Sequence, residues 1–303
     1  MPASMDRNPF ATAMRLVKGE DVLIVAIAAY LGAVMAAGGL PDTDLLRLAG
    51  AVAFCTLGVA GVNALNQVYD RDIDRINKPL RPIPSGILTT KQVTVIASIL
   101  LACGAIIAIL LGPVFVIIGV LGLGSSLLYT LPFPRFKKSM FFSTGIMGIG
   151  YGPFLLLAGW VIYEPVVFEW SDGGLVISPP LWVLLFLYFH EVFILISKDY
   201  RDIEGDKKYG MRTLPATLGK TRAAWVNYAL YVSPFVGVYV LDVLGHIEFG
   251  TAFLVLSGIL LGIPIFFFCS KDDQRSNVVG YYCYIFAFIM ARVVLAALFI
   301  GMI

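Results

Sequence analysis

Long apolar runs alternate with short polar segments along most of the chain. A helix needs roughly 20 apolar residues to cross a hydrocarbon core about 30 Å thick. By this criterion the pattern predicts nine membrane-spanning helices, at 21–40, 46–69, 92–111, 114–131, 140–160, 180–199, 222–243, 250–269 and 279–302. The expected fold class is therefore all-α: a polytopic membrane protein whose residues 1–303 form a single transmembrane domain.

The boundary between the third and fourth runs decides whether the count is nine. Only Gly112 and Pro113 separate these runs. Without a turn at this dipeptide, one run of about forty residues would cross the bilayer once, which is too long for any plausible tilt. We therefore expect a turn at Gly112-Pro113 and a separate helix on each side of it.

Composition and loop charges support a membrane location and give an orientation. Apolar residues make up 59% of the chain and charged residues 14%, against about 45–50% and about 25% in typical soluble proteins. With the N-terminus on the cytoplasmic side, all of the 22 Lys and Arg residues except Arg47 and Arg292 fall in cytoplasmic segments, as the positive-inside rule requires. The 160–180 segment has acidic and aromatic residues but no Lys or Arg, which favours the outer interface. No nucleic-acid partner is expected.

Two clusters of polar residues end the second and sixth spans. They are Asn66-x3-Asp70-x3-Asp74 and Asp199-x2-Asp202-x3-Asp206. Each spacing puts the side chains on one face of a helix. Because an unpaired charge beside the bilayer costs several kcal/mol, we expect a positive ligand, most simply a pair of divalent cations. Oxygen ligands without neighbouring His or Cys suit Mg²⁺, which keeps several waters and binds substrate phosphates. The implied substrate is a diphosphate.

The two clusters also indicate an internal repeat. Asp202 follows Asp70, and Asp206 follows Asp74, by the same offset of 132 residues (202 − 70 and 206 − 74). Four predicted spans make up this offset. We therefore expect a pseudo-repeat of four-helix units plus a ninth helix, with both clusters facing one central cavity on the cytoplasmic side.

Basic residues interleave with both clusters and are candidates for binding the diphosphate. The candidates after the first cluster, and in the loop between spans four and five, are Arg75, Lys78, Arg81, Lys137 and Lys138. Guanidinium and ammonium groups supply the charge-assisted hydrogen bonds that phosphate oxygens accept. The alternative for any one of them is a role in topology or in contacts with lipid headgroups.

A diphosphate held above an apolar cavity suggests an isoprenoid chain between the helices. Once its diphosphate is neutralised, an allylic carbon–oxygen bond can ionise, and aromatic faces such as those of Tyr69 and Tyr129 can stabilise the cation. Deeper in the membrane, Glu191 is expected to pair with another helix or to orient an acceptor. His190 is expected to form an interhelical hydrogen bond.

Two stretches of the chain resemble a known family. The stretch from Asn66 to Gly86, NQVYDRDIDRINKPLRPIPSG, closely resembles the first signature of the UbiA superfamily of intramembrane prenyltransferases. The stretch from Lys198 to Pro215, KDYRDIEGDKKYGMRTLP, resembles the second. The order, the spacing and the nine spans agree with this family over essentially the whole chain.

The resemblance implies Mg²⁺-dependent transfer of a prenyl chain from an isoprenyl diphosphate to a lipophilic acceptor within the membrane. It implies two Mg²⁺ ions bound by Asn66, Asp70, Asp74, Asp202 and Asp206. It also implies that Lys78, Arg81, Tyr129 and Lys137 or Lys138 contact the diphosphate or close the site. Asp199 would be a further ligand or an acceptor-side group, and the predicted catalytic residues are Asp199, Tyr129 and Lys198.

Two alternatives stay open. A membrane cation transporter would use the two aspartate clusters as an ion site, but it would carry charge deep in several spans rather than at one face. The acceptor is either an aromatic quinone precursor or geranylgeranylglyceryl phosphate, because the signatures resemble both branches of the family.

Overall fold

The computed structural model describes residues 8–130, 138–171, 174–247, 250–271 and 273–301. The helices of the first half are α1 Pro9–Val17, α2 Gly19–Ala37, α3 Leu45–Tyr69, α4 Arg71–Asn77, α5 Thr90–Leu111, α6 Pro113–Thr130, α7 Met140–Ile149 and α8 Leu155–Trp160. Those of the second half are α9 Leu181–Ile194, α10 Ile203–Lys208, α11 Leu214–Leu218, α12 Lys220–Val243, α13 Ala252–Cys269 and α14 Gln274–Phe299. A π-helix, Gly150–Phe154, joins α7 to α8, and a 3-10 helix, Leu195–Arg201, extends α9.

Nine helical segments of the described residues are long and apolar enough to cross a membrane, and they confirm the nine predicted spans. The largest difference in a boundary is at the last span, where α14 begins at Gln274 rather than at 279. Asp273 explains the earlier start, because its side chain accepts a hydrogen bond from the backbone N–H of Ser276 (2.7 Å) and caps the helix.

The turn between α5 and α6 lies at the expected dipeptide. Gly112 has φ of 118°, a left-handed conformation that favours glycine, and its N–H donates to the carbonyl of Ala108 (3.1 Å). Pro113 then occupies the first position of α6, where a missing N–H costs no helical hydrogen bond. The 90–130 region is therefore two helices.

The nine spans form a closed ring. In chain order, α2 packs against α3, α3 against α5, α5 against α6, α6 against α7, α7 against α9, α9 against α12, α12 against α13, and α13 against α14, which returns to α2. The α2 and α8 backbones approach so closely that a Cβ on Gly159 would overlap the Ala29 carbonyl. Small residues allow such approaches between membrane helices. The predicted arrangement of helices around a central cavity is confirmed.

The 160–180 segment contains a β-hairpin that the sequence pattern did not predict. Strands β1 Val167–Ser171 and β2 Gly174–Ser178 pair antiparallel, with Val167 opposite Ser178. Among the described residues the strands bond only to each other, so the outer edge of each strand still needs hydrogen-bond partners, which water supplies at a membrane interface but not in the hydrocarbon core. Trp170 is exposed there, as expected for an aromatic residue at headgroup level.

A buried ion pair connects three parts of the ring. Glu191 Oε2 of α9 accepts from Arg292 Nη2 of α14 (2.9 Å), which also donates to the carbonyl of Tyr151 in the π-helix (3.0 Å). Glu191 is thus paired with another helix, one of its two predicted roles. The hydrogen bond predicted for His190 is wrong: neither ring nitrogen has a partner, and the ring packs among aromatic side chains, including Phe186 and Phe235.

Replacing Arg292 by Met should destabilise the protein by about 3–5 kcal/mol, because the Glu191 carboxylate would stay buried without its counter-charge. The measurement is unfolding in mixed detergent micelles. Arg47→Met, at an exposed position, should change the free energy of unfolding by less than about 0.5 kcal/mol. The double variant Glu191→Leu/Arg292→Met should recover part of the loss. Wild-type stability of the Arg292→Met protein would contradict this account.

Candidate active site

Asp70 and Asp202 occupy equivalent positions in the two halves of the chain. Asp70 lies between α3 and α4 with φ/ψ of −95°/5°, and Asp202 lies between the 3-10 helix and α10 with −109°/5°. In each half a membrane-spanning segment therefore breaks at an aspartate and restarts as a short surface helix. This agrees with the internal repeat expected from the sequence offset.

Asn77 ties the two surface helices together. From the end of α4, its Nδ2 donates to the carbonyl of Asp202 (3.0 Å) and its Oδ1 accepts from the backbone N–H of Gly205 in α10 (2.8 Å). Gly205 has no side chain to interfere, and a Cβ there would lie 2.5 Å from the Asn77 amide. Sequence reasoning missed this residue, although it lies within the first signature.

Two ion pairs join the predicted metal ligands to predicted diphosphate-binding residues. Lys78 Nζ contacts Asp202 Oδ2 (2.5 Å), and Arg81 Nη1 contacts Asp74 Oδ2 (2.5 Å). Burial alone would raise the pKa of Asp202, but the Lys78 ammonium and its hydrogen bond outweigh burial and lower this pKa below its ordinary value. The carboxylate of Asp202 is therefore ionised at neutral pH.

The remaining predicted ligands lie buried beside these pairs. Asn66, Asp70, Asp199 and Asp206 are all buried, and Asp206 Oδ2 accepts from the Thr213 hydroxyl (3.1 Å). Asn66 Oδ1 and Asp202 Oδ1 are buried oxygens without a hydrogen-bond partner. A buried acceptor without a donor is unfavourable unless a ligand satisfies it.

The donor set fits Mg²⁺ better than a metal enclosed by protein alone. All the predicted ligands offer hard carboxylate or amide oxygens. Within the residues that the structure describes, no three His, Cys, Asp or Glu side chains are close enough together to hold an ion by themselves. Mg²⁺ commonly takes one or two carboxylates and completes its shell with waters and phosphate oxygens. The residues present are compatible with that mode of binding.

One cavity of about 680 Å³ brings most of the predicted site residues together. Those that line it are Asn66, Asp70, Asp74, Lys78, Arg81, Tyr129, Lys198, Asp199, Asp202 and Asp206. Lys198 Nζ contacts the Tyr129 hydroxyl (3.5 Å) and lies 5.1 Å from the centre of its ring. The two distant signatures therefore face the same space.

Two of the predicted diphosphate-binding residues that the structure describes are not among the lining side chains. Arg75 is largely exposed and pairs with Asp72 (3.3 Å), and Lys138 is also exposed. Lys137 lies outside the described residues. Arg75 lies on the exposed face of α4. This position fits the alternative role given above, in which a basic residue sets the membrane topology or contacts lipid headgroups.

The cavity is also lined by polar residues that sequence reasoning did not select. They include Arg15, Lys18, Asp21, Asn63 and Tyr281. Arg201, one of the basic residues that interleave with the second aspartate cluster in the sequence, lines the cavity as well. Arg15, Lys18 and Asp21 come from α1 and the start of α2, and Tyr281 comes from α14, all far from both signatures along the chain. Asn63 lies on α3, three residues before the first signature. Lys18 and Asp21 are an ion pair (3.5 Å), and Asn63 Nδ2 donates to the same Asp21 oxygen (3.0 Å).

A second, mostly apolar cavity of about 260 Å³ adjoins the first. It lies between α3, α5, α6 and the π-helix, with Phe54, Leu101, Val116 and Phe154 among its lining residues. Val62, Ser126, Gly150 and Tyr151 line both cavities. A polar chamber and an apolar chamber thus share a border, which suits a ligand with a charged head and an apolar tail.

Comparison with known proteins identifies the family. Residues 25–290 match the UbiA prenyltransferase family. The chain belongs to this family. The predicted membership, fold class and prenyltransferase activity are thereby confirmed.

The relatives of this UbiA prenyltransferase include several different enzymes. The digeranylgeranylglyceryl phosphate synthase of Thermococcus kodakarensis is 27% identical over 269 residues, which cover 88% of this chain and 91% of that protein. The chloroplastic chlorophyll synthase of Oryza sativa is 34% identical over 170 residues, covering 54% and 42%. Among solved structures, a UbiA homolog from Archaeoglobus fulgidus bound to GPP and Mg²⁺ has a TM-score of 0.66 at 17% identity, covering 94% of this chain and 99% of that one.

Replacing Gly205 by Ala should reduce prenyl transfer roughly 10–100-fold, the usual cost of disturbing groups that support a ligand set. The new methyl group would displace the Asn77 amide and loosen the junction between α4 and α10. The measurement is the rate of product formation by detergent-purified protein. Gly237→Ala is the matched control, because a Cβ there meets nothing within 4 Å, and it should keep wild-type activity. Equal activity of both variants would contradict a role for the junction.

Proposed function

We propose that this UbiA prenyltransferase transfers the prenyl chain of an isoprenyl diphosphate to a lipophilic acceptor in the membrane, in an Mg²⁺-dependent reaction. The observation that most strongly supports this proposal is the pair of adjoining cavities. One holds carboxylates, Lys78 and Arg81, and the other is mostly apolar. The diphosphate head would occupy the first and the prenyl tail the second.

Two Mg²⁺ ions would bind at the two aspartate clusters. Asn66, Asp70 and Asp74 would hold one ion, and Asp202 and Asp206 the other. The unsatisfied oxygens of Asn66 and Asp202 support this assignment, as does the Archaeoglobus fulgidus homolog bound to GPP and Mg²⁺. The bound ions would supply positive charge that neutralises the departing diphosphate.

The side chains of the polar cavity would assist the same bond cleavage. Lys78 and Arg81 would donate charge-assisted hydrogen bonds to phosphate oxygens. The carbon–oxygen bond to the allylic carbon then breaks, and its electron pair leaves with the diphosphate. Tyr129, held against Lys198, would close the site, and Asp199 would act on the acceptor side, where a proton is lost as the new bond forms.

We also propose that the active site faces the cytoplasm, because the loop charges require this under the positive-inside rule. The aspartate-bearing ends of α3 and of the 3-10 helix would then be open to diphosphates on the cytoplasmic side. The prenyl substrate would enter the ring of helices from the membrane. The outer surface of the ring carries exposed apolar residues, as contact with lipid requires, including Leu46, Ile109, Leu110 and Val243.

Asp202→Asn should reduce the rate of Mg²⁺-dependent transfer by more than about 100-fold, because the amide cannot supply the negative charge that the ion needs. Loss of a residue that only supports a metal ligand typically costs about 10–100-fold. The assay follows labelled prenyl diphosphate over a Mg²⁺ titration. Asp72→Asn is the matched control: Asp72 is about half-exposed and pairs with Arg71 and Arg75, so transfer should not change. Turnover of the Asp202→Asn protein close to that of Asp72→Asn would remove the metal assignment.

Labelling of introduced cysteines tests the orientation. In a background without the four native cysteines, Glu169→Cys in the hairpin should react with a membrane-impermeant maleimide in intact cells. Lys91→Cys, at the start of α5, should react only after the membrane is opened. The reverse pattern would show that the protein inserts the other way and that the active site faces outward.

A further inference from the structure

Two arginines of the central cavity have unused hydrogen-bond donors. Arg15 Nη1 and Arg201 Nε are buried without a hydrogen-bond partner, and both side chains line the cavity. None of the ion pairs among the described residues includes either arginine. A guanidinium stays charged at physiological pH, so a buried N–H without an acceptor is unfavourable until an anion binds.

Arg201 is held in place by an aromatic contact. Its guanidinium carbon lies 3.3 Å from the centre of the Tyr281 ring on α14. The Tyr281 hydroxyl donates in turn to Glu20 Oε1 at the start of α2 (3.2 Å). Stacking over a ring leaves the edge of the guanidinium available for a planar or tetrahedral anion.

Arg15 is held through its backbone. The completely buried Gln67 of α3 donates from Nε2 to the carbonyls of Arg15 (3.0 Å) and Leu16 (2.7 Å). Gln67 follows the predicted metal ligand Asn66, so the contact fixes α1 relative to the metal-binding face of α3. The position of Arg15 is therefore coupled to the candidate active site.

The acidic residues at the start of α2 already have donors. Asp21 accepts from Asn63 and pairs with Lys18, and Glu20 accepts from Tyr281. Lys78 and Arg81 likewise have carboxylate partners, and these two residues lie at the aspartates where the donor diphosphate is expected. The unused donors of Arg15 and Arg201 thus indicate a second anion in the same cavity.

We propose that Arg15 and Arg201 bind the anionic head group, phosphate or carboxylate, of the prenyl acceptor. This rests on the proposed function, because an acceptor exists only if prenyl transfer occurs at this site. The guanidinium groups would fix the charged end of the acceptor and thereby set the direction in which its nucleophilic atom faces the prenyl carbon. A neutral lipid alcohol would lack this anchor.

The test compares acceptors that differ in one charge. Labelled geranylgeranyl diphosphate is supplied with geranylgeranylglyceryl phosphate or geranylgeranylglycerol, and separately with 4-hydroxybenzoate or phenol. The first pair tests a phosphate head group and the second a carboxylate. We expect one charged acceptor to exceed its neutral counterpart about 10–100-fold in kcat/KM, the value of one charge-assisted hydrogen bond.

Arg15→Gln and Arg201→Gln should each raise the KM for the charged acceptor by about 10–100-fold. In Arg15→Gln, this increase should exceed any change in the KM for the donor or in the kcat/KM for the neutral acceptor. A general loss of structure would change all of these values together. Arg222→Gln, at an exposed position at the start of α12, is the matched control and should behave as wild type.

Equal use of charged and neutral acceptors would overturn the proposal. So would arginine variants that raise the KM for the donor and leave that for the acceptor unchanged, because these arginines would then serve the diphosphate. Direct binding of both acceptor pairs, measured without the prenyl donor, separates failure of the head-group site from failure of the proposed function. If wild type prefers the charged member of one pair and Arg15→Gln loses that preference, the head-group site is supported even if wild type forms no product. Equal binding of the charged and the neutral member within both pairs rejects it.

Discussion

Charge pairing between the two halves of the chain holds the candidate active site together. Lys78 follows α4 and Asp202 precedes α10. Although they are far apart in sequence, Lys78 Nζ lies 2.5 Å from Asp202 Oδ2. The side chain of Asn77, one residue before Lys78, forms hydrogen bonds with the carbonyl of Asp202 and the backbone N–H of Gly205 in the first turn of α10. The ring of packed helices brings the two aspartate clusters near each other, and these contacts join them directly. A diphosphate that bridges both clusters needs this arrangement before it binds.

The same ion pairs offset the free-energy cost of burying the aspartate carboxylates. A buried carboxylate without a counter-charge costs several kcal/mol, and Asp74 and Asp202 are compensated here by Arg81 and Lys78. Under the proposed function, each carboxylate would exchange its basic partner for a metal ion, and each basic side chain would turn to a phosphate oxygen. Every charge then keeps a partner throughout binding. The arrangement is therefore consistent with stability before the reaction and with catalysis during it.

Hydropathy predicts the spans and the turn at Gly112 because these depend on local sequence. The span lengths follow from bilayer thickness, and the helix at Pro113 can only begin there. The aspartate clusters were also predictable, because helical spacing places them on one face. The contacts of Asn77 and Gln67 were not, because each joins segments more than 40 residues apart. The surroundings of His190 were misjudged because most of the aromatic rings that contact it come from other helices, such as Tyr231 and Phe235 of α12.

The π-helix is the least predictable element, and it lies at the border of the two cavities. Tyr151 lines both chambers, and Arg292 holds its carbonyl from α14. If the diphosphate occupies the polar chamber and the tail the apolar one, the bond that breaks must lie between them, near Val62, Ser126, Gly150 and Tyr151. A widened helical turn at this border is typical of π-bulges, which are often found at functional sites. The deep Glu191–Arg292 pair, which contributes no group to the polar chamber, therefore supports the wall against which the reacting carbon would lie.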